Sequence, residues 1–154
     1  MVIALEICGV VHGFVRSANV EITSFDAPGA GIGLQQGTIV LAINTAGAVT
    51  GIYKDADNMI HSYVMVSDGT ITPFDVPGDL WTYAASINGK GTIAGYYAVK
   101  TVFRGFLRSP GGSITTVQVP QAKYTYPQSI NQSSVIAGFY VDAESVTHGF
   151  VRTP

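Results

Sequence analysis

Internal repetition constrains this chain more than any other feature, because a fixed period decides the architecture before any local reading. Three patterns recur together in one order. The first, Ile-Asn-x-x-(Gly)-x-(Val/Ile)-x-Gly-x-Tyr, runs from Ile43-Asn44 to Gly51-Ile52-Tyr53, from Ile87-Asn88 to Gly95-Tyr96-Tyr97, and from Ile130-Asn131 to Gly138-Phe139-Tyr140. Its asparagines are 44 and 43 residues apart. The second reads His12-Gly13-Phe14-Val15-Arg16, His61-Ser62-Tyr63-Val64-Met65, Arg104-Gly105-Phe106-Leu107-Arg108 and His148-Gly149-Phe150-Val151-Arg152. The third, Ile-Thr-x-Phe-Asp-Val-Pro, spans Ile22 to Pro28 and Ile71 to Pro77, and in drifted form Ile114 to Pro120.

Each unit reads as four short strands. The first ends at the Ile-Asn pair, as in Trp81 to Ile87, and a turn such as Asn88-Gly89-Lys90-Gly91 follows, its Asn and Gly tolerating positive φ. The second strand is Thr92 to Tyr97 and the third Phe103 to Arg108. The fourth stops at a proline, which cannot donate to a ladder. No stretch sustains a 3.6-residue apolar period, so essentially no helix is expected. Glycine weakens a strand interior. The recurrence of Gly51, Gly95 and Gly138, and of Gly13, Gly105 and Gly149, therefore implies close packing, with aromatics of a neighbouring strand or sheet covering the bare backbone.

The expected fold is all-β: one repeat-built domain over residues 1–154 of four-stranded antiparallel units, propeller-like, with a β-barrel or trefoil-like threefold arrangement as the rival. It divides into a partial repeat over 1–28, repeats over about 29–77 and 78–120, and a partial repeat over 121–154. Pro28 to Asn44 spans 16 positions where the later units span 11. The extra five are assigned to a loop at Gly29-Ala30-Gly31-Ile32-Gly33, where added length costs little. Propellers need four to eight blades. Two closures are open: the strand near Ile22 pairs with the strand near Phe150 within one chain, or two chains pool their units into a ring of about six blades. Open repeat ends expose strand edges, so a homo-oligomer is expected.

The same trio of patterns resembles the bacterial HAF-type extracellular repeat family over nearly the whole chain from Gly9 onward. That resemblance implies propeller-like blades in an exported protein and brings no catalytic residues. The start, Met1 to Glu6, lacks a basic segment and does not read as a signal peptide.

Composition narrows the partners. Only 12% of residues are charged and the net charge is −2, which speaks against nucleic acid and anionic membrane surfaces, both of which need basic patches. No stretch approaches the ~20 apolar residues of a membrane helix. Cys8 is the single cysteine, so no intrachain disulfide is expected.

Candidate chemistry is sparse, and no catalytic residue, metal ligand or cofactor is assigned. His12, His61 and His148 share one repeat position, held by Arg104 in the remaining copy. They read as hydrogen-bonded strand-start histidines, not as metal ligands. Asp55, Asp57 and Asn58, echoed by Asp142 and Glu144, read as solvated hairpin turns in place of a calcium loop. Asp26 and Asp75, replaced by Gln118 in the third copy, read as backbone-bonding residues beside the proline turn. The remaining lead is aromatic. Trp81, Tyr83, Tyr124 and Tyr126 fall in matching segments just after the proline turn, and such faces stack on sugar rings or anchor a protein partner. The sequence thus favours a non-enzymatic binding or assembly module, with a lectin-like carbohydrate binder as first alternative and an enzyme with a central-channel site as second.

Overall fold

The computed structural model describes residues 5–7, 9–78 and 81–154. Among these every regular element is a strand. A first partial unit comprises β1 (Leu5–Ile7), β2 (Val10–Arg16) and β3 (Ile22–Phe25). One complete unit is β4 (Gly37–Ile43), β5 (Val49–Lys54), β6 (Ile60–Met65) and β7 (Ile71–Phe74). The next is β8 (Trp81–Ile87), β9 (Ile93–Val99), β10 (Val102–Arg108) and β11 (Ile114–Val117). A last unit holds β12 (Tyr124–Ile130), β13 (Ile136–Val141) and β14 (Thr147–Arg152). Within every unit consecutive strands pair antiparallel, which is a propeller blade. The all-β expectation holds and the strands fall where the patterns place them, except that the fourth strand stops at Phe25, Phe74 and Val117, three residues before its proline. The opening residues supply a strand the sequence did not reveal: β1 pairs with β2 as β5 pairs with β6.

Each copy of the Ile-Asn pattern builds one device. Asn88 Oδ1 accepts from Lys90 N and Thr92 N, and Asn44 and Asn131 repeat this with residues two and four positions on. The turn closes through a left-handed residue, Gly47 or Gly91 in two copies and Ser134, with φ 61°, in the third. The asparagine amides join the blades. Asn44 Nδ2 donates to Asn88 O at 2.9 Å, and Asn88 Nδ2 donates to Asn131 O at 3.2 Å.

The strand glycines fall into two classes. Gly51, Gly95 and Gly138 lie opposite Val40, Ala84 and Pro127, where the first strand bulges in all three copies. A Cβ there would run into the carbonyl oxygen of Ile39, Tyr83 or Tyr126, so the bulge requires glycine. On the other side their cross-strand partners are Tyr63, Phe106 and Phe150, aromatics of the same sheet. The expected aromatic cover is present. Gly105 instead faces Pro127 of the following blade, and Gly13 faces Phe25 and the Thr38 methyl of the following blade. Aromatic side chains thus cover Gly51, Gly95 and Gly13, while Gly105 lets the following blade approach.

The core lies between blades. Ala27, Val40, Val49, Tyr53 and Tyr63 fill the first seam, and Val76, Ala84, Ile87, Ile93, Tyr97 and Phe106 the second. Ala94, Val117, Ile130 and Ile136 fill the third. A threonine pins each strand-four-to-strand-one connection: Thr38, Thr82 and Thr125 accept from the backbone N–H of Ala27, Val76 and Val119. The inserted residues lie in the loop between β3 and β4, where Gln36 donates to Ala56 O and accepts from Gly33 N. Closure within one chain through β3 and β14 does not occur, since β3 pairs with β2. Cys8 lies outside the described residues.

Candidate functional site

The starts of the first strands, the hairpins between second and third strands, and the ends of the fourth strands all lie at one end of the blades. Both candidate clusters gather there.

One is aromatic and sits at the seam between the β8–β11 and β12–β14 blades. Tyr83 stacks on its cross-strand partner Tyr96 at 4.8 Å, and Tyr126 stacks on Phe139 at 4.6 Å. Tyr96 meets Tyr126 edge-on at 5.1 Å, which carries the network across the seam. Phe103, at the start of β10, touches Trp81, Tyr124 and Tyr126 at 5.3–5.7 Å. All four residues chosen from the sequence thus come together, and Tyr96, Phe103 and Phe139 join them. These three were legible only by register: each faces or abuts a residue already chosen. Burial, with Tyr83 and Tyr126 close by, pushes the Tyr96 hydroxyl up to about 12. It stays protonated and acts as packing and as a hydrogen-bond group. Trp81 remains 39% exposed, and Lys123 Nζ lies 5.3 Å from the centre of the Tyr124 ring.

The network is specific to two copies. In the β4–β7 blade the positions of Trp81, Tyr83, Tyr96 and Phe103 are held by Gly37, Ile39, Ile52 and Ile60. A role in blade packing alone is filled there by isoleucine.

The other cluster is a His–Asp bracket repeated along the chain. His61 Nδ1 bonds Asp75 at 2.8 Å and Nε2 bonds Asp55 at 3.2 Å, while the Tyr53 ring stacks on the imidazole at 4.9 Å. His12 pairs with Asp26 at 2.9 Å, and His148 pairs with Asp142 at 2.7 Å beneath Tyr140. Asp26 and Asp75 thus bind histidine and not the backbone expected from their place beside the proline. A spacing of 14 between the histidine and the proline-turn aspartate is the signal that could have shown it. With a carboxylate at each nitrogen, His61 is satisfied on both sides only as imidazolium. Burial pulls its pKa down, but the bonds to Asp75 and Asp55 outweigh that and leave it raised. Asp55 is held low by the Met59 backbone N–H, with His61 adding to it, and Asp142 is held low first by His148. Asp55 Oδ1 also caps its hairpin by accepting from Asp57 N and Met59 N, the turn role expected of it. The brackets stand on separate blades, and among the described residues no three His, Cys, Asp or Glu side chains gather as a metal site.

The β8–β11 blade lacks the bracket. Val99, Arg104 and Gln118 replace its members, and a cleft of about 460 Å³ opens beside Val99 and Arg104, lined also by Tyr97, Lys100 and Thr101, with two cations and no carboxylate.

No family model and no curated protein sequence matches this chain. Among solved structures it is similar to a streptogramin B lyase, at 12% identity and a TM-score of 0.52 over 90% of this chain and 47% of that one. It also aligns with the virginiamycin B lyase of Staphylococcus aureus, at 11% identity and a TM-score of 0.40 over 90% of this chain and 62% of that one. The chain thus spans about half the length of the first of these, and that likeness supports the propeller-like fold.

Proposed function

We propose that this chain is a non-enzymatic binding module of propeller type whose ligand-contacting rim is the aromatic seam around Trp81, Phe103 and Tyr124. The observation that carries this reading is asymmetry. A chain of copied blades keeps its packing residues in every copy, whereas this network occupies one seam and leaves Trp81 partly open to solvent. Exposed, rigid aromatic surface is what binding sites use for anchoring at low entropic cost. The titratable groups support the same reading. Each histidine is engaged by a carboxylate on its own unit, whereas acid–base work calls for groups converging on one pocket. The lyases named above are enzymes, but at 11–12% identity their chemistry is not carried to this chain.

A carbohydrate is the second reading, favoured by the pairing of an exposed indole with Tyr124 on one rim, since flat rings stack on sugar faces. Arrays of glycans and of extended peptides, probed with the 154-residue chain and with Trp81→Ala, test both. A bound ligand is expected to lose about tenfold or more in affinity on loss of the indole, about 1.4 kcal/mol. Glycan signals only would select the second reading. Binding indifferent to Trp81→Ala would remove the seam as the site.

A further inference from the structure

In every other unit the third strand is covered by a fourth: β2 by β3, β6 by β7, β10 by β11. Among the described residues β14 pairs only with β13. Beside its open edge lies a cleft of about 350 Å³ lined by Val117, Val119, Pro120, Phe150 and Val151. Val151 is 72% exposed, whereas its counterpart Leu107 packs into the seam with the following blade. Ala137 is exposed where its counterpart Ala94 is fully buried.

The sequence of that edge identifies what fits it. Residues 148–152 of β14 read His-Gly-Phe-Val-Arg, identical to residues 12–16 of β2, the strand that holds β3. A strand able to pair with one is able to pair with the other in the same register. On β2 that register is Gly13↔Phe25, Phe14↔Ser24, Val15↔Thr23 and Arg16↔Ile22. β2 holds β3 through the strand ladder, the His12–Asp26 pair and the Phe25 ring against Gly13, but most of β3 is open to solvent. Ile22 is 59% exposed, and three of the four residues of β3 are open to solvent.

We propose that β14 accepts β3 of a second copy of this chain, and reciprocally, so that two chains exchange strands and join their blades. Two unfilled positions are completed by that exchange. His148 has Asp142 at Nε2, but no ion pair engages its Nδ1 among the described residues. Asp26, carried in on the incoming chain just after β3, supplies the second arm and reproduces the Asp55–His61–Asp75 bracket. The asparagine ladder runs Asn44 to Asn88 to Asn131 and shows no acceptor for Asn131 Nδ2 among the described residues. The backbone oxygen of Asn44 on the incoming chain is its next rung. Finally, β3 keeps its contacts with its own β4–β7 blade, where Phe25 meets Tyr63 at 6.1 Å. In place of the three-residue β1 and the single strand β2, that blade gains the three strands β12–β14 as its neighbour. Exchange of an identical element between copies is a low-cost route to a dimer, and an unpaired strand edge is its usual acceptor. The first solved structure named above is also about twice as long as the part this chain covers.

The test is a register-specific cross-link in the 154-residue chain with Cys8→Ser. Thr23→Cys with Val151→Cys is expected to form an interchain disulfide under mild oxidation, and the uncrosslinked parent is expected to sediment at twice the mass of one chain. Thr23→Cys with Val15→Cys samples the pairing on β2 and is expected to cross-link far less; both pairs sit on exposed or half-buried strand positions, so folding is retained and is checked by circular dichroism. A one-chain mass overturns the proposal. So does a Thr23–Val151 disulfide within one chain, or a two-chain mass with no cross-link between these positions.

Discussion

The amide of Asn88 is where turn and blade assembly meet, and Asn88→Ala should show it. The side chain is 2% exposed and makes three bonds: it accepts from Lys90 N and Thr92 N at 3.0 Å each and donates to Asn131 O at 3.2 Å. Net contributions of about 1 kcal/mol per bond put the loss near 3 kcal/mol. The truncation also leaves two turn amides seeking water, so about 2–4 kcal/mol is the working range. For a domain of this size each kcal/mol moves the midpoint by roughly 2–4 °C, giving a drop of about 4–16 °C. Asn88→Asp separates the two roles. Its carboxylate still accepts from the turn but cannot donate, and it sets an oxygen against the Asn131 carbonyl. Urea unfolding followed by circular dichroism, with the slope checked for constancy, should rank wild type above Asn88→Asp and Asn88→Asp at least level with Asn88→Ala. An aspartate variant as stable as wild type would refute the claim that this amide links neighbouring blades.

Two further outcomes follow from local geometry. Ser134 occupies the left-handed turn position that Gly47 and Gly91 fill in the other copies. Ser134→Gly should relieve about 1–2 kcal/mol of backbone strain and give back about 0.5–1 kcal/mol to chain entropy. A net gain of several tenths of a kcal/mol in urea midpoints is expected, and a destabilised variant would contradict it. The His61 bracket should make stability depend on pH. Because its folded pKa is raised, its contribution is whole below the unfolded value of about 6.5 and fades as pH climbs through the folded one. Asp55 and Asp142 have lowered pKa values, so theirs is whole above about 3.9 and fades as pH falls through the folded values. Denaturation between pH 4 and pH 9 should show a decline above neutrality that His61→Gln flattens; an unchanged slope in that variant would remove the bracket as its source.

The blades were legible because each of their devices recurs. Asn44, Asn88 and Asn131 mark one turn, Gly51, Gly95 and Gly138 one bulge, and the prolines a point three residues past the fourth strand, so period alone located thirteen of the strands to within about three residues. β1 escaped because its three residues copy no part of the pattern. Asp26 and Asp75 were misjudged because a proline turn offers backbone donors nearby, while their true partners lie across a strand pair. Strand register, which decides that Asp75 meets His61, emerges only when Ser62 is placed opposite Phe74. The same holds for the aromatic seam. Trp81 and Tyr124 stood out as large residues, but Phe103 gains its meaning by touching both.

Repetition also sorts structural residues from functional ones. A residue kept in every blade, such as the threonine at 38, 82 and 125, has the same neighbours each time and is accounted for by them. Departures from the pattern have no such account. The β8–β11 blade loses all three members of the bracket and, at the same end of the same strands, carries Trp81, Tyr83, Tyr96 and Phe103. Removing the bracket frees the hairpin end from an internal ion pair, and aromatic substitution replaces charge pairing with surface that water wets poorly. Both changes make that rim a better place to hold a partner and a worse place to hold a proton. A binding site placed there needs no new fold element, only one blade allowed to differ from its copies.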